Sequence, residues 1–232
     1  MQIETVLSPT LFSQISDVEH KTVVVIDVLR ATSTITTILH NGADAVIPVR
    51  EASIAQEYKS KGYLVGGERG GETIPGFDFG NSPFHYKKEI VTGKEIVLTT
   101  TNGTKCIEMA SHAHQVVVGS FLNLVAVVNH LRYMDKDVVL FCAGWKNRVN
   151  VEDSLYAGAV AQRLKSEEVD DATLLCIDAY DASKDNLFAA LKKSNHFQRL
   201  ASKGVTKDIA YCCETDIINS VGVLSTDRII LA

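Results

Sequence analysis

Apolar residues occur along the chain in short unbroken runs rather than at alternate positions. The first run, "TVVVIDV" at 22–28, carries apolar side chains on both faces, which is typical of a fully buried strand. Runs of the same kind predict further strands at 45–49, 63–67, 95–101, 115–120, 137–144, 172–179 and 221–231. The last of these is compatible with an antiparallel pairing.

Helical patterns separate the runs, at 31–41, 51–61, 103–111, 121–134 and 151–167. This alternation predicts an α/β fold in which helices cover both faces of a mostly parallel sheet. No internal repeat or linker interrupts it, so a single domain over 1–232 is the simplest interpretation. In such folds ligands bind outside the carboxyl ends of the strands, so we expect the catalytic and ligand-binding residues at these ends.

Composition narrows the class of ligand. The 232 residues carry a net charge of -5 with 46% apolar residues, so binding of nucleic acid or an anionic membrane through the overall charge is not expected. An anionic ligand would need a locally positive site. Five cysteines without a CxxC pair indicate reduced thiols. The absence of a secretory signal pattern or membrane-span pattern leads us to expect a cytoplasmic protein.

The first strand end combines an acid and a base. Asp27 closes the apolar run, and Arg30 precedes Thr32, Ser33 and Thr34 at the predicted start of a helix. Free backbone N–H groups and a guanidinium together form a good anion site. The hydroxyl residues could instead only cap the helix, but the pairing of Asp27 with Arg30 favours ligand binding.

The second strand end is the glycine-rich stretch "GGERGGETIPGFDFGNSP" at 66–83. Its six glycines allow a backbone to approach a ligand closely. Glu68 and Asp78 could bind a hard cation such as Mg²⁺, and Arg69 could bind an anion. The alternative is a flexible surface loop.

The third strand end, "LTTTNGTKC", passes into a helix through Asn102, Gly103 and Thr104. It could present backbone N–H groups to an anion, although Asn-Gly is first of all a turn signal. The spacing of a Walker phosphate loop is absent.

The fourth strand end, "FCAGWKNRVNVEDSLYAG", places Gly144, Lys146 and Arg148 before a helix whose first turn holds Glu152 and Asp153. These acids are candidates for catalysis. The dipole of the helix alone would also explain two acids at this position.

Two other kinds of site are disfavoured. "VVVIDVLRAT" is similar to the haloacid-dehalogenase motif, but Leu29 stands where that family has its second aspartate, so we keep Asp27 only as a metal-ligand candidate. His112 and His114 have no third ligand nearby in sequence, which argues against zinc.

Taken in order, the blocks "IDVLRATST", "GGERGG", "GFDFGNSP", "TTNGT", "CAG", "EDSLYAG" and "LSTDRIIL" closely resemble the 2-phosphosulfolactate phosphatase family of coenzyme M biosynthesis. The resemblance covers nearly the whole chain. It implies a three-layer α/β/α fold, a homodimer, and Mg²⁺-dependent hydrolysis of 2-phospho-3-sulfolactate to 3-sulfolactate and phosphate.

A substrate with a carboxylate, a sulfonate and a phosphate needs several cationic groups and a metal. The expected metal ligands are Asp27, Glu68, Asp78 and Asp153. The expected catalytic residues are Asp27, Arg30, Glu68, Glu152 and Asp153. The expected substrate-binding residues are Thr32, Ser33, Arg69, Gly70, Asn81, Ser82, Asn102, Gly103, Thr104, Gly144 and Arg148.

Within these sets some roles stay open. Glu152 or Asp153 would orient the attacking water, Arg30 and the helix start would hold phosphate, and Arg69 or Arg148 would hold the sulfonate. Two other functions are compatible with the residues: a phosphatase for another phosphorylated hydroxy acid, or a metabolite sensor with Cys212-Cys213 as a redox switch. Carboxylates beside arginines favour catalysis, because a pure anion binder gains nothing from nearby acids.

Overall fold

The structure is a computed structural model that describes all 232 residues. The strands are β1 (Ile3–Val6), β2 (Thr22–Ile26), β3 (Ala45–Pro48), β4 (Leu64–Arg69), β5 (Glu72–Thr73), β6 (Glu95–Thr99), β7 (Gln115–Gly119), β8 (Val138–Cys142), β9 (Gly222–Ser225) and β10 (Arg228–Leu231). The helices are α1 (Ala31–His40), α2 (Ala52–Ser60), α3 (Lys88–Val91), α4 (Gly103–Met109), α5 (Leu124–Met134), α6 (Val151–Leu164), α7 (Asp171–Asp181), α8 (Leu187–Leu191), α9 (Asn195–Ala201) and α10 (Thr206–Cys212).

The strands form one mixed sheet in the order β1-β8-β2-β7-β9-β10-β3-β6-β4-β5. Two parallel groups, β1-β8-β2-β7 and β3-β6-β4, are joined by the antiparallel hairpin of β9 and β10. Since three antiparallel pairings separate the groups, the groups run in opposite senses along the sheet. The predicted α/β class with a mostly parallel, mixed sheet is confirmed.

Both faces of the sheet are covered, which explains the unbroken apolar runs. In β2, Val24 and Ile26 pack into the core formed with α5 and α6, whereas Val23 and Val25 pack into the core that contains residues of α1 and α4. All five residues of β2 are buried. A smaller core of Ile47, Val65 and Val97 lies under α2.

The strand predicted at 172–179 is wrong, because this segment lies within α7. Asp170 caps the helix by accepting a hydrogen bond from the backbone N–H of Thr173 at 2.9 Å. Thr173, Cys176 and Tyr180 are buried at helical spacing, whereas Leu175 between them is 66% exposed. The run has two exposed leucines, Leu174 at 49% and Leu175 at 66%, and it forms an amphipathic helix.

Two other segments differ in detail from the prediction. The run at 221–231 is two strands joined by a tight turn, and it pairs antiparallel at both of its edges. The glycine-rich stretch is not all loop, because β4 continues through Arg69 and turns back into β5 at Glu72. No helix has the length and apolar character needed to cross a membrane.

Candidate active site

A narrow polar cavity lies at the carboxyl ends of β2, β4 and β6, and α9 covers it. Its volume is about 30 Å³, enough for about two water molecules. The lining residues are Asp27, Leu29, Arg30, Glu68, Gly70, Gly71, Asn81, Thr101, Asn102, Trp145, His196, Arg199 and Leu200. The cavity thus combines the end of β2 from one strand group with the ends of β4 and β6 from the other, although the two groups run in opposite senses.

Asp27 follows β2 directly and is 7% exposed. Its Oδ1 accepts a hydrogen bond from the N–H of Ala31 at 3.4 Å, so the carboxylate caps α1. Burial, with the nearby charges of Glu68 and Glu152 adding to it, raises its pKa from 3.8 to about 6, although His196 and the Ala31 bond oppose the shift. At neutral pH the buried carboxylate of Asp27 is therefore ionised at a cost in free energy. A positive charge bound nearby would reduce that cost.

Glu68 ties three parts of the cavity wall together. Its Oε1 accepts hydrogen bonds from the backbone N–H and the hydroxyl of Thr101, at 2.8 and 2.7 Å. Its Oε2 accepts one from the N–H of Gly71 at 2.6 Å. The carboxylate therefore joins the end of β4 to the segment after β6, and it holds the turn before β5 at the cavity.

Glu152 and His196 form a buried pair next to the cavity. Oε1 of Glu152 is hydrogen-bonded to Nδ1 of His196, and Oε2 is buried without any partner. Nε2 of His196 lies 2.8 Å from Nη2 of Arg199. The imidazole is stacked on Trp145 with ring centroids 6.2 Å apart, and the guanidinium of Arg199 lies 4.7 Å from the centroid of the same indole.

Asp153, the neighbour of Glu152, is hydrogen-bonded to backbone N–H groups instead. Its Oδ1 accepts from the N–H of Val28 and its Oδ2 from the N–H of Gly144, both at 3.0 Å. Burial, together with the charges of Glu152 and Asp27, raises the pKa of Asp153 well above its ordinary value. Asp153 thus connects the chain after β2 to the chain after β8.

Arg30 is the more deeply buried of the two cations at the cavity. Its guanidinium is paired with the carboxylate of Asp208 on α10, and both side chains are less than a tenth exposed. A second space of about 300 Å³ lies next to the first and shares Arg30, Gly71 and Asn81 with it. Lys207 and Ser82 line this second space.

The structure brings together at the cavity six residues that the sequence singled out: Asp27, Arg30, Glu68, Gly70, Asn81 and Asn102. Gly103 abuts Asp27, since a Cβ there would lie 2.9 Å from Oδ2. Ser82 lies in the adjoining space.

The other candidates do not line the cavity. Thr32, Ser33 and Thr104 are buried in hydrogen bonds at helix starts. Gly144 donates to Asp153. Asp78 is paired with Lys59 and accepts from the N–H of Val65.

The two arginines proposed for the sulfonate are exposed and lie outside the cavity. Arg69 donates to the carbonyl oxygens of Glu68 and Arg50 and to the hydroxyl of Thr99. Arg148 pairs through its backbone with Trp145.

Sequence reasoning missed His196, Arg199 and Trp145. Trp145 lies in the loop after β8, whereas His196 and Arg199 lie on α9. No predicted strand ends next to α9, so a search of strand ends does not find these two residues. The only available signals were the spacing of three between His196 and Arg199, which places both on one face of a helix, and the presence of a single tryptophan in the chain.

Comparison with known proteins adds an independent result. Residues 7–227 match the sequence profile of the family described as 2-phosphosulpholactate phosphatase. The chain is 44% identical to a "Probable 2-phosphosulfolactate phosphatase" of Thermotoga petrophila, over 99% of this chain and 98% of that protein. Proteins with the same description from Caldanaerobacter subterraneus and Clostridium novyi are 41% identical over 86% of each chain, and 35% identical over 95% and 96%. The chain therefore belongs to the 2-phosphosulfolactate phosphatase family.

Proposed function

We propose that the protein is a phosphoric monoester hydrolase that converts 2-phospho-3-sulfolactate to 3-sulfolactate and inorganic phosphate. The observation that carries the proposal is one cavity lined by Arg30 and Arg199 together with the buried carboxylates of Asp27 and Glu68, in a chain of this family. Arginines bind the anionic groups of such a substrate. A protein that only binds an anion gains nothing from carboxylates beside these arginines, whereas a catalytic cation needs carboxylates to hold it.

The substrate is larger than the cavity of about 30 Å³. We therefore infer that it extends into the adjoining space of about 300 Å³, which begins at Arg30 and Gly71 and reaches Lys207. Arg30 lines both spaces, so a substrate that spans them would contact its side chain in each. The phosphate would lie against Arg30, whose guanidinium suits phosphate oxygens.

The family resemblance implies Mg²⁺, and the donor chemistry at the cavity suits it. Burial and the nearby charges of Glu68 and Glu152 disfavour the ionised form of Asp27. Oε2 of Glu152 is buried without a partner. No three His, Cys, Asp or Glu side chains form a ready-made cation site. Mg²⁺ usually needs no such cage, because it is held by one or two carboxylates, waters and substrate phosphate.

Asp27 and Glu68 are the residues that would hold Mg²⁺. A bound ion would supply positive charge to the phosphoryl oxygens as the bond to the leaving group breaks. Asp78 and Asp153, also expected as ligands, are engaged with Lys59 and with backbone N–H groups. The chain's own contribution is to bind and align the phosphoryl group, since a loose transition state needs little activation of the attacking water.

Phosphate release from a panel of esters tests the proposal. Phosphosulfolactate should be the best substrate, and EDTA should abolish its turnover while added Mg²⁺ restores it. A higher kcat/KM for another phosphorylated hydroxy acid would favour that alternative, and tight binding without turnover would favour a sensor. We also propose a cytoplasmic homodimer in coenzyme M biosynthesis, for which light scattering of the purified protein tests the dimer.

A further inference from the structure

His196 has the surroundings of a group that transfers a proton. Its side chain is only 5% exposed, yet it lines the cavity together with Asp27 and Glu68. Nδ1 is hydrogen-bonded to the carboxylate of Glu152, which is completely buried, and also lies 3.1 Å from Nδ2 of Asn150. A carboxylate behind one ring nitrogen places the hydrogen on that nitrogen and leaves the other for chemistry, as in hydrolases that use a histidine and an acid.

The reaction proposed above needs such a group. The oxygen that leaves phosphorus belongs to a secondary alcohol, and its alkoxide is far too basic to depart unprotonated at neutral pH. Arg30 and a cation held by Asp27 would stabilise the phosphoryl oxygens, but they supply no proton to the leaving oxygen. Among the residues that line the cavity, His196 carries the only imidazole, the side chain most often used for proton transfer near neutral pH.

We propose, building on the proposed function, that His196 is the general acid of this reaction and that Glu152 is its positioning residue. Water attacks phosphorus, the bond between phosphorus and the ester oxygen breaks, and its electron pair stays on that oxygen. Once Arg199 has released Nε2 and Nε2 has been protonated, the imidazolium gives this proton to the oxygen, which yields the alcohol. The water keeps one hydrogen in the product phosphate and releases the other to bulk solvent, from which His196 is reprotonated.

Arg199 explains how the proton transfer is confined to the complex with substrate. In the structure its Nη2 donates to Nε2 of His196, while its Nε is buried without a partner. Its Nη1 holds only the carbonyl oxygen of Gly70, at 3.2 Å. An anion in the cavity offers this guanidinium better acceptors, so that Nε2 is released toward the ligand only when the ligand is present.

The leaving group provides the test. In the analogue of phosphosulfolactate whose bridging oxygen is replaced by sulfur, the leaving thiolate needs no proton, since thiols have a pKa near 8.5. His196→Gln should lower kcat for the oxygen ester by roughly 10² to 10⁴, the usual contribution of general acid catalysis. The same variant should hydrolyse the sulfur ester within about tenfold of the wild-type rate, as expected when no acid is required. Glu152→Gln should show the same selectivity with a smaller loss.

The control is His130→Gln, because His130 is half-buried, is hydrogen-bonded to Gln115 and lies outside the cavity. It should leave both rates unchanged. Equal losses on both esters in folded His196→Gln and Glu152→Gln, or no loss on either, would overturn the assignment. If His196→Gln fails to fold, Glu152→Gln decides by the same ratio. A wild-type protein that leaves the oxygen ester intact but splits another phosphate ester would instead overturn the proposed substrate.

Discussion

Replacing Asp27 by asparagine should make the protein more stable at neutral pH while removing most of its activity. The carboxylate of Asp27 is buried, and its pKa is raised from 3.8 to about 6. A raised pKa means that the folded state holds the proton more tightly than the unfolded chain does. The stability that this proton provides is complete below about 3.8 and is lost as the pH rises through about 6.

The magnitude follows from the shift. About two pKa units at 1.36 kcal/mol each give a penalty of about 3 kcal/mol for the ionised group at pH 7. Asparagine removes the charge and keeps an oxygen that can accept from the N–H of Ala31. We expect Asp27→Asn to gain about 1–3 kcal/mol at pH 7, or a Tm higher by roughly 2–12 °C for a chain of this size.

Urea denaturation in EDTA at pH 7 and pH 4 measures this effect. Most of the gain should disappear at pH 4, where the wild-type carboxyl is already protonated in the folded state. Asp181→Asn, on the surface beside Lys184, serves as the control and should give no gain. Added Mg²⁺ should stabilise the wild type and not Asp27→Asn, and kcat of the variant should fall at least roughly 10²-fold. A variant that is no more stable than the wild type at pH 7, or equally stabilised at pH 4, would refute the reasoning.

Three further predictions follow from the same site. Phospholactate should be at least about 10²-fold poorer than phosphosulfolactate in kcat/KM, because cationic groups of the site lose a partner when the sulfonate is missing. Arg199→Met should shrink this ratio more than Arg148→Met, which changes an exposed residue outside the cavity. Equal ratios in the two variants would place the sulfonate elsewhere. Asp208→Asn should lower the free energy of unfolding by about 3–5 kcal/mol in urea denaturation, since it removes the carboxylate that is paired with the buried guanidinium of Arg30; a loss below about 1 kcal/mol would contradict this. A chiral thiophosphate ester should react with inversion at phosphorus, as expected for direct attack by water, whereas retention or a hydroxylamine-trapped acyl phosphate on Asp27 would show a covalent intermediate.

The part of the site predicted from the sequence is the part that strand ends supply. Asp27, Arg30 and Glu68 lie at the ends of apolar runs, and in α/β folds ligands bind at the carboxyl ends of such strands. Successive side chains of a strand point to opposite faces of the sheet, and this alternation determines which of two adjacent residues points into the protein. Because β4 continues through residue 69, Glu68 points into the protein and is 8% exposed, whereas the side chain of Arg69 points outward.

The part that could not be predicted depends on long-range packing. His196 and Arg199 reach the cavity because α9 lies over it, and no local pattern in the sequence fixes that placement. The two acids after residue 151 illustrate the same limit. The sequence could place Glu152 and Asp153 in the first turn of a helix, but only the surroundings assign one to His196 and the other to backbone N–H groups.

The hairpin of β9 and β10 has a consequence for how the chain acquires this structure. These strands, from residues 222–231, lie in the middle of the sheet, so the two parallel groups cannot join before this segment is in place. A nascent chain shorter than this would expose β7 and β3 as unpaired edges, which are templates for association with other chains. Completion of the sheet therefore comes late in synthesis and depends on contacts distant in sequence, which slows folding. Chaperone dependence during expression should accordingly rise in variants that weaken this hairpin.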